Sequence, residues 1–103
     1  MEDRILFIVP DAEDLKAYNT FIDLGDESVD SQDFTSAEVY YGLAVGFCEQ
    51  VWGPYTWLEA RVLYKLSYLY KLQGRKLESE LASLLASKIL ASEDYPEEDE
   101  IIP

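Results

Sequence analysis

The sequence predicts an all-α fold: a single-domain bundle of about four helices that ends in a C-terminal αα-hairpin. Three observations predict it. Apolar side chains recur at helical spacing in four segments, two Thr-x-x-Glu sequences match the capping box, and glycines stand where three of the segments stop. We therefore expect a helical domain over residues 1–92, followed by an acidic, disordered tail over residues 93–103.

The first helix is predicted over residues 11–24, after a short extended arm over residues 1–10. The arm carries the apolar run RILFIV, which we expect either to pair as a strand or to pack its side chains on the helices. Gly25 is expected to end the helix and to begin an acidic loop over residues 25–34. The apolar face of this helix consists of Leu15, Tyr18, Phe21 and Ile22.

The second and third helices are each predicted to begin at a capping box. Thr35 and Glu38 mark the start of a helix over residues 36–52, which the Gly-Pro pair that follows ends. Thr56 and Glu59 mark the start of a helix over residues 57–73 in the same way. Its core face is centred on Val62, Leu66 and Leu69, with Leu58 beside them.

The fourth helix is predicted over residues 75–92. Gly74 alone separates it from the third helix, which predicts a tight antiparallel hairpin. Four leucines at helical spacing are expected to form its core stripe, and three serines a small, close-packing or solvent-facing edge. These are Leu77, Leu81, Leu84 and Leu85, and Ser79, Ser83 and Ser87.

Two features of the second helix bear on packing. Gly42 and Gly46 destabilise a helix interior, so we expect another backbone to approach them, either within the monomer or from a partner subunit. Cys48 lies on the apolar side of this helix and is expected to be a buried structural thiol.

Composition excludes several classes of function. The 103 residues carry 21 acids, 8 bases, no His and one Cys, for a net charge of −13. This charge argues against direct binding to duplex DNA, which requires bases that neutralise phosphates. The absence of His removes the commonest general base and metal ligand, and one Cys allows neither an intrachain disulfide nor a zinc cluster.

Further classes are unsupported by any motif. No phosphate-binding loop, nucleotide motif or membrane-spanning run of apolar residues occurs in the sequence. We therefore expect no enzymatic activity and no cofactor, and the lack of a secretory signal favours a cytoplasmic location. The 14% aromatic content favours a packed core over disorder.

The charge is concentrated at the two ends of the sequence. Residues 1–33 hold ten acids and two bases, whereas residues 34–92 hold five acids and six bases. The six remaining acids lie in residues 93–103. The helical core is therefore nearly neutral. If the two acidic segments lie on one face, charge mimicry is favoured, and if they lie at opposite ends, the charge is expected to serve solubility.

The acidic loop is the first candidate site for a partner. Asp26, Ser28 and Asp30 match the first ligands of a calcium-binding EF-hand loop, but Ser31 and Ala37 stand where glycine and glutamate are required. We therefore predict no metal site here. The predicted partner-binding acids are Asp23, Asp26, Glu27, Asp30 and Asp33.

A stripe of aromatic and basic residues on the third helix is the second candidate site. Such residues stack on single-stranded bases, form the centres of protein interfaces, or pack beneath neighbouring helices. Of the two binding roles, protein contact is favoured because the net charge repels a phosphate backbone. The stripe consists of Trp57, Arg61, Tyr64, Lys65 and Tyr68.

Two functional hypotheses follow. The first is a small acidic interaction protein that inhibits or regulates a basic, nucleic-acid-binding protein by charge mimicry, as small phage and mobile-element proteins do. The alternative is a helical adaptor or assembly module, with homodimerisation open, that binds through an aromatic and apolar face.

Overall fold

Four α-helices follow one another along the chain. A computed structural model describes residues 9–92. The helices are α1 Ala12–Asp30, α2 Phe34–Trp52, α3 Trp57–Leu72 and α4 Lys76–Ser92, and no strand occurs within the described range. The predicted all-α fold is therefore confirmed. The predicted pairing of the N-terminal arm and the predicted disorder of the tail concern residues 1–8 and 93–103, which lie outside the described residues.

Successive helices run in alternating directions. On α1 and α2, Phe21 packs on Phe47 and Tyr18 packs on Trp52, so later residues of one helix meet earlier residues of the other. On α3 and α4, Ser67 meets Ser79 in the same antiparallel sense. Each helix packs mainly on its neighbours in the sequence. The start of α1 and the end of α4 therefore lie at the same end of the fold.

The core lies between α1, α2 and α3, and α4 closes one side of it. Tyr18 is fully buried, and its hydroxyl donates a 2.7 Å hydrogen bond to the carbonyl oxygen of Leu58. Cys48 is buried as predicted, and burial raises the pKa of its thiol. The other buried apolar residues are Ile22, Ala37, Tyr41, Ala44, Leu58, Ala60, Val62, Leu63, Leu66, Leu69, Ala86 and Ile89.

The first helix continues six residues beyond its predicted end. The predicted stop at Gly25 and the acidic loop over residues 25–34 are therefore wrong. Gly25 is buried against the ring of Tyr41, and a Cβ there would lie 2.6 Å from Tyr41 Cδ1. The glycine serves close packing between two helices. The helix ends at Asp30, and Gln32, two residues later, takes a left-handed φ of 63°.

The second helix begins two residues earlier than predicted. Asp33, and not Thr35, is its N-cap, and Asp33 Oδ1 accepts a 3.2 Å hydrogen bond from the backbone N–H of Ser36. Hydrogen bonds from Ser36 lower the pKa of Asp33. The proposed capping role of Glu38 is also wrong, because Glu38 accepts a 2.9 Å hydrogen bond from Arg75 at the start of α4.

The capping box at the start of the third helix is confirmed. Thr56 is the N-cap, and its hydroxyl accepts a hydrogen bond from the backbone N–H of Glu59. The Glu59 carboxylate reaches back to the N–H of Tyr55, one residue before the cap, at 2.8 Å. This bond holds Tyr55 in a left-handed conformation with φ of 65°. The helix runs from Trp57 to Leu72, one residue short of its predicted end.

The tight hairpin between α3 and α4 is also confirmed. Gly74 takes a φ of 75°, and the backbone N–H of Arg75 bonds to the carbonyl oxygen of Tyr70. Beyond the turn, the hydroxyls of Ser67 and Ser79 each donate a 2.8 Å hydrogen bond to the carbonyl oxygen of the other residue. Hydroxyls reach the opposite backbone in this way only where two helices lie close together.

The predicted core stripe of the fourth helix is wrong. Leu77, Leu81, Leu84 and Leu85 are 68%, 55%, 57% and 39% exposed. The face that packs on α3 carries Ser79, Ala86 and Ile89 instead, all of which are buried. Near the turn, small side chains face α3 because the short turn and the Ser67–Ser79 contact bring the two helices close together there, whereas the larger Ile89 packs near the far end of α4.

The helical glycines Gly42 and Gly46 meet no close backbone within residues 9–92. A Cβ built at either position finds no atom within 4 Å, and both residues are exposed. The expected close packing of these glycines within the monomer is therefore wrong.

Two glycine substitutions separate close packing from helix propensity. We expect Gly25→Ala to lower the free energy of unfolding by about 1–3 kcal/mol, because the new methyl group overlaps the Tyr41 ring. Gly42→Ala is the matched control and raises the same quantity by about 0.5–1 kcal/mol. Urea unfolding followed by circular dichroism measures both. Equal effects of the two substitutions would contradict the packing role of Gly25.

Glu59 makes stability depend on pH. Burial raises the pKa of Glu59 from 4.5 to about 7. The folded state then binds more protons than the unfolded state between these values, so the free energy of unfolding falls as the pH rises through them. Glu59→Gln keeps an acceptor for Tyr55 and cannot ionise. We expect its stability relative to the wild type to improve by about 2 kcal/mol from pH 4.5 to pH 7.

The control for this measurement is the exposed Glu80→Gln. Its stability difference from the wild type stays constant over the same pH range. A constant difference for Glu59→Gln as well, in urea unfolding at a series of pH values, rules out Glu59 as the source of the pH dependence.

Candidate functional site

Four of the five predicted partner-binding acids lie on one face of α1. Asp23, Asp26, Glu27 and Asp30 are spaced i, i+3, i+4 and i+7, which aligns them along a helix. We call these four residues the acidic face. Asp23, Glu27 and Asp30 are exposed, whereas Asp26 is partly covered by α2 and α3. The fifth acid, Asp33, is the N-cap of α2 next to this face.

Only part of the predicted aromatic and basic stripe of α3 is accessible, because some of its residues contact α1 or the core. The guanidinium carbon of Arg61 lies 5.8 Å from the centre of the Tyr18 ring, and Trp57 is partly buried against the core. Lys65 forms an ion pair with Asp26 at 3.2 Å. Tyr64 and Tyr68 are exposed, so the rings at this end of the stripe remain accessible.

A cleft of about 480 Å³ brings part of the two predicted sets together. It lies where the second half of α1 faces α3, above Tyr41 of α2. The acidic face contributes Asp26 and Asp30, and the stripe contributes three residues. The full lining is Asp26, Val29, Asp30, Tyr41, Tyr64, Lys65 and Tyr68. The structure thus places five of the ten predicted residues around one concave surface.

A hydrogen-bonded network forms the floor of the cleft. The Tyr41 hydroxyl donates a hydrogen bond to Asp26 Oδ1, and Lys65 Nζ donates to both oxygens of the same carboxylate at 3.2 and 3.3 Å. Burial, the hydrogen bond to Asp26 and the negative charge of Asp26 and Asp30 raise the pKa of Tyr41. Tyr41 therefore stays a neutral donor, and the network joins α1, α2 and α3.

The cleft has the chemistry of a cation-binding surface. Tyrosine rings attract a cation at their faces, and Asp30 supplies a carboxylate that has no ion-pair partner within residues 9–92. Lys65 and Asp26 already neutralise each other. In the described part of the chain, no group of three His, Cys, Asp or Glu residues is arranged to hold a metal ion.

The acidic face and the acidic tail begin at opposite ends of the fold. The acidic face occupies the second half of α1, where Asp26 contacts Lys65 in the middle of α3. The tail follows Ser92 at the end of α4, which lies at the end where α1 starts. The negative surface on the second half of α1 is therefore formed by the residues of α1 and does not depend on the tail.

A second and larger groove follows α3 and α4. Its volume is about 840 Å³, and it is lined by polar side chains and by Leu84. Ser67 and Ser79 in its floor bond to each other, and Ser87 lies 3.1 Å from the Tyr64 hydroxyl. These hydroxyls therefore serve contacts between α3 and α4.

Sequence reasoning missed Tyr41 as a cleft residue. The spacing of Ala37, Tyr41, Ala44 and Cys48 places all four on the buried side of α2, and this spacing was the available signal. No local pattern shows that the Tyr41 hydroxyl meets Asp26, because the two residues belong to different helices.

Comparisons with known proteins suggest no function for this chain. Protein-family models, curated proteins and solved structures all give no match to this chain. The helices within residues 9–92 include none with the length and apolar character needed to cross a membrane.

Paired alanine substitutions on α1 test the network. We expect Asp26→Ala to lower the free energy of unfolding by about 1–2 kcal/mol, since it removes the acceptor of Tyr41 and Lys65. Asp30→Ala changes it by less than about 0.5 kcal/mol. Urea unfolding measures the free energy of unfolding of both variants. Both replace Asp by Ala in the same helix, so the gain in helix propensity cancels in the comparison. If the network did not stabilise the fold, Asp26→Ala and Asp30→Ala would change the free energy of unfolding equally.

Proposed function

We propose that the chain is a protein-interaction protein that binds a basic segment of a partner at the cleft and the acidic face. The observation that carries the proposal is the position of Tyr64 and Tyr68, which stand exposed beside Asp30, a carboxylate without an ion-pair partner within residues 9–92. Carboxylates and tyrosine rings recognise the same groups, namely the guanidinium of Arg and the ammonium of Lys.

Uncompensated charge supports this proposal. Asp23, Glu27 and Asp30 make no ion pair within residues 9–92. They lie on a rigid helix, so a partner binds them without first ordering a loop, which lowers the entropic cost of binding. Charge complementarity of this kind accelerates association and weakens it at high salt.

Inhibition by charge mimicry is the specific form of the proposal. A partner that uses its basic surface for nucleic acid is blocked when the acidic face occupies that surface. This activity and its phage or mobile-element setting are predictions from charge and size, and a cytoplasmic location is a further prediction.

A helical adaptor or assembly module is the second candidate function. The exposed leucines of α4 favour it, because they form a second exposed surface on a different helix from the acidic face. A protein with a charged surface and a separate apolar surface is suited to joining two partners.

Binding of an octa-arginine peptide tests the cleft and the acidic face directly. We expect Asp23→Asn, Glu27→Gln and Asp30→Asn together to raise the Kd for the peptide about tenfold, a loss of about 1.4 kcal/mol. The matched control carries Glu13→Gln, Glu49→Gln and Glu80→Gln, three exposed acids elsewhere, and has the same net charge. We expect its Kd to change less than about twofold, measured by calorimetry.

Two further readouts distinguish a site from bulk attraction. First, we expect the amide resonances of Tyr64 and Tyr68 to shift when the peptide is added. Second, we expect the affinity for the peptide to fall between about 0.01 M and 1 M salt, because the Debye length falls from about 30 to about 3 Å. Equal losses in the two triple variants contradict a defined site. The same variants used as bait in host lysate then identify the partner that depends on the acidic face.

A further inference from the structure

One side of α4 is apolar and turned away from the core. Its four leucines are exposed by 39% to 68%, and their spacing of i, i+4, i+7 and i+8 aligns them along the helix. We call Leu77, Leu81, Leu84 and Leu85 the leucine face. Monomeric proteins rarely leave a contiguous apolar surface of this kind in water. We propose that the leucine face binds the leucine face of a second copy of this chain, with the two α4 helices antiparallel.

The distribution of charge makes α4 the surface at which a second copy meets the least repulsion. The chain carries a net charge of −13, so two copies repel each other over most of their surface. Helix α4 holds two acids and two bases and is neutral. It packs mainly on α3, and the acidic face lies on α1, which packs mainly on α2. Two copies therefore meet with the least repulsion at α4.

Charge also selects the antiparallel orientation. Lys71 and Lys76 are exposed near the turn that begins α4, whereas the six acids of residues 93–100 follow its end. A parallel pair brings like ends of the two helix dipoles together. An antiparallel pair places the lysines at the start of each α4 beside the negative end of the dipole of the other α4, which is favourable.

The leucine face is complementary to itself in this orientation. Two-fold symmetry requires the same residues on both sides of the interface, and it places Leu81 of each copy against Leu84 of the other. The 17 residues of α4 give a contact about 25 Å long. The groove of about 840 Å³ borders Leu84 and leaves room for side chains from the second copy.

Sedimentation velocity over a hundredfold range of protein concentration tests the proposal on the full chain. We expect a dimer of twice 11.8 kDa for the wild type and a monomer for Leu84→Glu. Leu43→Glu is the matched control, because Leu43 is a 47% exposed leucine on α2 outside the leucine face. It introduces the same charge and remains a dimer. Circular dichroism confirms that both variants keep their helix content.

Three outcomes overturn the proposal. A wild type that stays monomeric at every concentration excludes the dimer. If Leu84→Glu also lowers the melting temperature of that monomer, another segment of the same chain covers the leucine face. A Leu84→Glu variant that stays dimeric, or a Leu43→Glu variant that becomes monomeric, places the interface elsewhere.

A single cysteine substitution tests the orientation. The native thiol of Cys48 is buried, so Leu77→Cys carries one accessible thiol. In the antiparallel pair, residue 77 lies opposite residue 88 of the other copy, which keeps the two thiols about 16 Å apart along the helix axis. A disulfide requires Cα atoms within about 7 Å. We expect a dimer without a disulfide under mild oxidation, and rapid formation of a 77–77 disulfide overturns the antiparallel orientation.

Discussion

The contact between Tyr41 and Gly25 is the constraint on which the arrangement of the first three helices depends. The tyrosine ring occupies the space where a side chain at position 25 would lie, so α1 and α2 approach closely at this point. The hydroxyl at the far end of the ring meets Asp26, and Asp26 in turn holds Lys65 of α3. One aromatic side chain thereby positions α1 so that its remaining acids face solvent beside the tyrosines of α3.

Local signals predicted the number of helices and the turns on either side of α3. The Thr56 capping box was readable from sequence because its partners lie within four residues of one another. The Thr35 box failed because Asp33, two residues earlier, caps the helix by accepting from the backbone N–H of Ser36, so Thr35 already lies inside α2. Gly25 failed for a different reason, since a glycine that ends a helix and one that accommodates a neighbouring ring look the same in sequence.

The orientation of α4 was the largest failure of sequence reasoning. Hydrophobicity favours leucines inside, and the leucine face satisfies helical periodicity as well as the small-residue face does. The distance between α3 and α4 determines which face of α4 is buried. The Ser67–Ser79 contact that sets this distance forms only in the folded hairpin, so it cannot be read from the sequence. The candidate site shows the same limit. The acidic and aromatic residues were each found from sequence, but their meeting across α1 and α3 depends on tertiary packing.

The alternating directions of the four helices have a practical consequence for work with this protein. The described chain enters α1 and leaves α4 at the same end of the fold, whereas the acidic face and its cleft lie toward the other. A fluorophore, surface tether or affinity tag attached through either terminus is therefore joined to the helices at the end away from Asp30. Immobilisation through a terminus leaves the acidic face of α1 facing solution.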